Sequence, residues 1–155
     1  MTDEIISWDL KYATGINVID SQHKKLVILT NELYAACLNK DDKLQTAFKT
    51  AMSRMVDYVT FHFNAENNLL KAIEYPDWTN HKKMHDALIK KILDTVQDYK
   101  DGKKFVPNNF VRTLVDWVFS HIAFYDKQYS LYAMDRIRVG ILTKEKLHEI
   151  EKSIA

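Results

Sequence analysis

Apolar residues recur along four stretches of this chain at alternating spacings of three and four, the mark of helices that face a bundle core. The first stripe holds His23, Leu26, Thr30, Leu33 and Cys37. The second is long: Phe48, Met52, Met55, Val59, His62, Glu66, Leu69 and Ile73. The third runs through Trp78, His81, His85, Leu88, Ile92, Thr95 and Tyr99, and the fourth through Phe110, Leu114, Trp117, His121, Phe124, Gln128 and Leu131. Breaks at 39–42, 75–77 and 100–107 separate the stripes. Connections this short join antiparallel neighbours. The pattern predicts an all-α fold, an up-down-up-down antiparallel four-helix bundle over about 20–134, with crossing angles near ~20°.

The flanks add two pieces. An N-terminal arm, 1–19, carries Trp8, Tyr12, Ile16 and Ile19 and is expected to lie across the outside of the bundle. Asp20 or Ser21 is the expected cap of the first helix and Asp77 that of the third. After the bundle, Gly140 leads into a short C-terminal helix at about 143–153, which Thr143 caps. No repeat, low-complexity tract or linker interrupts the chain, so 1–155 reads as one domain.

Composition agrees with long elements and few turns, since the whole chain has three Gly and two Pro. No apolar run approaches the roughly 18–20 residues of a membrane span, and the acidic start MTDEIISWDLKY has no signal core. A net charge of +1, with both signs spread along the sequence, argues against a nucleic-acid partner. The lone cysteine, Cys37, has no internal disulfide partner, so a cytoplasmic location is the economical expectation.

Chemistry enters through the stripes themselves. Five of the six histidines, His23, His62, His81, His85 and His121, fall on core-facing positions, with Glu66 among them. One inward histidine is ordinarily a satisfied core residue. Five with a carboxylate are another matter, because each unpartnered ring costs roughly 1–3 kcal/mol and a shared cation removes that cost. His62 and Glu66 are four apart, as are His81 and His85, so each pair projects from one helix face. Folding the chain at its breaks brings these groups to one level within a few ångströms, at about 1.5 Å of rise per residue.

The segments WDLKYATGINVIDSQHKKL, HFNAEN, HKKMH and WVFSHIAFYDKQY, in this order, resemble hemerythrins and bacteriohemerythrins over about 8–132. The resemblance implies two iron ions (Fe2+/Fe3+), bridged by oxo or hydroxo, with seven protein ligands. His81, His85 and His121 would hold one iron, His23 and His62 the other, and Glu66 and Asp126 would bridge them. Asp126 rests on the resemblance alone. It follows His121 by five residues, about 140° around an ideal helix, so the fourth helix must be widened there in a π-type turn or otherwise deformed.

Five imidazoles, two bridging carboxylates and one oxo or hydroxo bridge leave a single open position on two octahedral irons, where O2 can be the ligand. Imidazole-rich ligation, without the Glu-x-x-His pairs of di-iron oxidases, favours reversible binding over oxidation. The implied role is oxygen transport, storage or delivery, and not an enzyme. The alternatives are an oxygen or nitric oxide sensing module whose terminal segments move, and a di-iron peroxidase or oxidase. Trp117, Val118, Phe61, Phe63 and Phe124 are expected to give the site an apolar wall. Val118 stands where hemerythrins commonly have Leu, which points to a roomier pocket, and Asn67 stands where a second Glu is frequent. His148 is expected on the surface, Cys37 in apolar packing, and Tyr125, Tyr129 and Tyr132 on a second stripe against the arm or a partner.

Overall fold

The computed structural model describes residues 4–38, 44–103 and 107–155, so the first expected break and positions 104–106 of the third lie outside the described residues. Among those described, the secondary structure is entirely helical: α1 (Asn17–Leu38), α2 (Leu44–Ala72), α3 (Trp78–Lys100), α4 (Pro107–His121), α5 (Lys127–Arg138) and α6 (Lys144–Ile154). A five-residue π segment, Ile122–Asp126, joins α4 to α5, making them one long helix with a widened turn in the middle. Among the described residues, no helix is long and apolar enough to cross a membrane.

Every residue of the second stripe is buried, as are Leu26, Thr30 and Leu33 of the first and Leu88 and Ile92 of the third. These side chains form two apolar clusters. One is built on Leu33, Met55, Val59, Leu88, Ile92 and Leu114. The other is built on Ile16, Ile19, Leu69, Leu70, Ala133 and Leu147. The layer between them holds the inward histidines and carboxylates. Apolar packing on both sides fixes the four helix backbones at that level, which positions the polar layer without loops.

The helix ends depart from the expected caps. The first helix begins at Asn17, so Asp20 sits in its first turn. There its carboxylate accepts from the Thr14 and Gly15 amides and the Thr14 hydroxyl, tying down the arm. Asp77 precedes α3 without a side-chain cap bond and accepts instead from the Asn80 side-chain NH2. The break at 75–77 is present, and Glu74, just after α2, lies in the left-handed region at φ 56°, a position usually given to glycine. Thr143 does cap α6, accepting from the Lys146 amide.

The arm packs more deeply than an outer strap. Tyr12 and Ile16 are buried, the Asn31 side chain accepts from the Ile5 amide, and Tyr12 meets Phe119 edge-on at 5.4 Å. Cys37 is half-buried against the core, and burial pushes its thiol up to about 11, which suits a packing residue rather than a reactive one.

The fourth stripe is the main correction. Phe124 and Leu131 are 62% and 64% exposed, and Gln128 is exposed too. The inward residues after His121 are Ile122, Asp126, Tyr129, Ser130 and Ala133. A π turn takes in one residue more than an α turn, so it rotates everything after it, and a stripe counted at constant period runs onto the solvent side.

Candidate metal centre

His23 projects from α1, His62 and Glu66 from one face of α2, His81 and His85 from one face of α3, and His121 from the last turn of α4. All are buried. Asp126, at the end of the π segment, is buried with them. The widened turn brings it back over His121, with His121 Nε2 3.1 Å from Asp126 Oδ1.

The two oxygens of Asp126 face opposite ways. Oδ1 lies 3.1 Å from His121 Nε2 and 3.2 Å from His81 Nε2, while Oδ2 lies 3.3 Å from His23 Nε2. Glu66 lies across the same divide. Its Oε2 is 3.2 Å from His85 Nε2 and 3.5 Å from His62 Nε2, and its Oε1 is 3.9 Å from His23 Nε2. Two groups of potential donors result, His81, His85, His121 and Asp126 in one and His23, His62, Glu66 and Asp126 in the other. Asp126 belongs to both.

The fit to cations rests on atoms that hydrogen bonding leaves over. His23 Nε2, Glu66 Oε2 and both Asp126 oxygens are buried with no hydrogen-bond partner, and all converge on this layer. Unsatisfied buried groups cost roughly 1–3 kcal/mol each, more when charged. The Nε2 atoms of His85 and His81 also stand 3.1 and 3.3 Å from that of His121, the convergence of ring nitrogens that a shared cation requires. Imidazole and carboxylate together suit a first-row transition metal such as iron.

The profile of the hemerythrin HHE cation binding domain matches residues 14–130. The chain belongs to the hemerythrin family. It is 31% identical to a bacteriohemerythrin of Pseudomonas aeruginosa over 141 residues, 90% of this chain and 87% of that one. A hemerythrin-like protein of Naegleria gruberi is 29% identical over 79% of this chain and 89% of its own length. Among solved structures, wild-type hemerythrin superposes with a TM-score of 0.75 at 25% identity, covering 81% of this chain and 95% of that one.

Electrostatics in this hemerythrin-family centre are those of a site where protons stand in for cations. Burial opposes the charge of Asp126, yet His121, His23 and His81 beside it hold its carboxyl well below the usual range. Glu66 is likewise held low, against burial and the charge of Asp126, by His62, His81 and His85. Burial also opposes charge on His81, but Asp126 and Glu66 outweigh it and raise the ring to about 10. Burial dominates at His62 and lowers it to about 3.

A proton-release prediction follows. At pH 8 the metal-free His81 carries a proton that a cation at Nε2 must expel, so loading is expected to acidify a weakly buffered solution by at least one proton per chain. Apparent metal affinity therefore falls as pH falls. A pH electrode during anaerobic ferrous titration reads this directly, and uptake without acid release contradicts it.

Tyr129 is the residue that sequence reasoning missed. Expected on a second stripe against the arm or a partner, it is fully buried, its hydroxyl donates to Glu66 Oε1, and its ring meets His81 at 5.5 Å. The signal was available: a widened turn that brings Asp126 inward brings Tyr129, three residues on, inward as well. Tyr129→Phe leaves Glu66 Oε1 without its donor. The expected cost is about 1–3 kcal/mol in denaturant unfolding of the metal-free chain, and an unchanged midpoint would contradict the role.

The apolar wall is narrower in membership than expected. Phe63 stacks on His85 at 3.7 Å and Trp117 on His121 at 6.0 Å, whereas Phe61 and Phe124 are exposed. Leu26, Phe63, Leu88, Trp117 and Val118 line a recess between His62 and His121 that is too narrow for a water molecule, even with Val118 in its wall. His148 is exposed as expected, and Lys24 and Lys83, each beside or near a histidine of the centre in sequence, are exposed too.

Proposed function

We propose that the chain binds dioxygen reversibly at a non-haem di-iron centre, as a cytoplasmic carrier, store or delivery protein rather than an enzyme. The observation that carries this reading is the unequal division of imidazoles about a shared carboxylate: three histidines in one donor group and two in the other, with Asp126 common to both. His81, His85 and His121 would hold one iron, His23 and His62 the other, with Glu66 and Asp126 between them. Iron supplies, when bound, the electrons that O2 takes up on binding and returns on release.

The remaining work falls to the chain. With Glu66 and Asp126 both shared, the two-histidine side would be one ligand short of the other, which favours an exchangeable position there. The apolar side chains beside His62, Leu26, Phe63, Leu88, Trp117 and Val118, disfavour water and with it the protons that drive loss of reduced oxygen. Neutral imidazoles outnumber carboxylates five to two, which favours return of the electrons over committed oxidation.

The test is anaerobic reconstitution with ferrous iron, followed by air and then argon, under visible absorption. Two irons per chain and a band that rises in air and fades under argon are expected. A chain that holds no iron, or only one, sinks the proposal. Repeated consumption of O2 without recovery of the starting spectrum would assign the centre to an oxidase instead.

A further inference from the structure

Gln22 precedes His23 on α1 and is 5% exposed, yet its side chain does not face the cations' layer. It bridges two other elements. Its Oε1 lies 2.8 Å from His62 Nδ1, and its Nε2 donates to the Ile154 carbonyl, near the end of α6, at 3.3 Å. A peptide carbonyl can only accept, so the Ile154 carbonyl fixes which end of the amide is the NH2. The amide oxygen is thereby turned to His62, whose Nδ1 must carry the proton. The His62 lone pair is then left on Nε2, the nitrogen 3.5 Å from Glu66.

The C-terminal helix is well placed to hold that orientation. Leu147, Ile150 and Ile154 are buried in the apolar cluster with Ile16, Ile19 and Leu69. Glu151 Oε2 accepts from the Val18 amide at 3.0 Å, one of the free donors in the first turn of α1. α6 is thus tied to α1 at two points, and one of them continues into the ring of His62. A carboxylate at position 22 could accept from His62 but could not donate to Ile154, so the amide is the group that serves both.

We propose that Gln22 is a positioning residue through which docked α6 fixes the tautomer and orientation of His62, so that undocking α6 loosens the cation on the two-histidine side alone. This rests on the reading of His62 as an iron ligand. It gives the C-terminal helix a definite task, since a partner that displaced α6 would act on the half of the centre proposed to bind oxygen. Partners of this kind to a ligand histidine are typically worth ~10–100-fold in metal affinity.

Leu147→Asp undocks α6 without touching the centre, and Glu151→Ala is the milder version that removes the acceptor of the Val18 amide and keeps Leu147, Ile150 and Ile154. In the metal-free full chain, 15N shifts of His62 are expected to report a single Nδ1–H tautomer. In either α6 variant and in Gln22→Leu they are expected to move toward a mixture. In the iron-loaded chain, chelator removal of one iron is expected to quicken ~10–100-fold in Leu147→Asp and in Gln22→Leu, the other iron being unaffected. The double variant should release no faster than the single ones, because both cut the same connection. Additive effects overturn the coupling, as does wild-type behaviour in Leu147→Asp when hydrogen exchange shows α6 undocked. Failure of the wild-type chain to hold a second cation overturns the ligand reading itself.

Discussion

Replacing Asp126 with alanine is expected to weaken both cation sites together, each by more than ~100-fold, since even outer partners of metal ligands are worth ~10–100-fold. The reason is geometric. Asp126 is the side chain common to both donor groups, with Oδ1 toward His121 and His81 and Oδ2 toward His23. Its loss removes a carboxylate from each group and leaves five buried imidazoles with Glu66 alone to balance a cation's charge. Iron per chain after gel filtration, with circular dichroism to establish that the helices persist, gives the answer. A folded variant that still carries two irons would show that Asp126 is a buried ion-pair partner and no more.

His62→Ala is expected to divide the centre rather than abolish it. The group of His81, His85, His121 and Asp126 is untouched, while the other is left with His23, Glu66 and Asp126. One iron per chain should remain, and the band that comes and goes with air should disappear entirely. Gln22 also loses the proton it accepts, so Oε1 becomes a buried acceptor without a donor, costing about 1–3 kcal/mol in stability. Two irons and an intact air-dependent band in this variant refute the assignment of His62. Together the substitutions separate a shared bridge from a ligand of one side, because the first should affect both irons and the second only one.

Much of this was legible from residues alone. Leu26, Met55, Val59, Leu69, Leu88 and Ile92 recur at three- and four-residue spacings because a helix against a core must bury one stripe, and all are buried. His23, His62, Glu66, His81 and His85 were placed inward by the same count, and the layer they share follows from helix rise and break positions. The periodicity failed at one place. Counting at constant step from His121 selected Phe124, Gln128 and Leu131, because a period cannot register an inserted residue. Likeness to the family demanded Asp126 inward and hence a widened helix, and the π segment at Ile122–Asp126 is that widening.

The sequence by itself therefore determined the helices, the layer of five histidines with Glu66, and the need for a deformation before Asp126. The first two depend on spacing along the helices, where each residue's direction is set by its neighbours in the chain, and the third rests on likeness to the family. Only the tertiary structure decided that the Asp126 oxygens part toward different histidines, that Tyr129 donates to Glu66, and that Gln22 joins His62 to the Ile154 carbonyl. Apart from Asp126 with His121, those contacts link residues 40 to 132 positions apart, through side-chain torsions that no local pattern constrains. They are set where separate helices meet at van der Waals distance, and packing selects them.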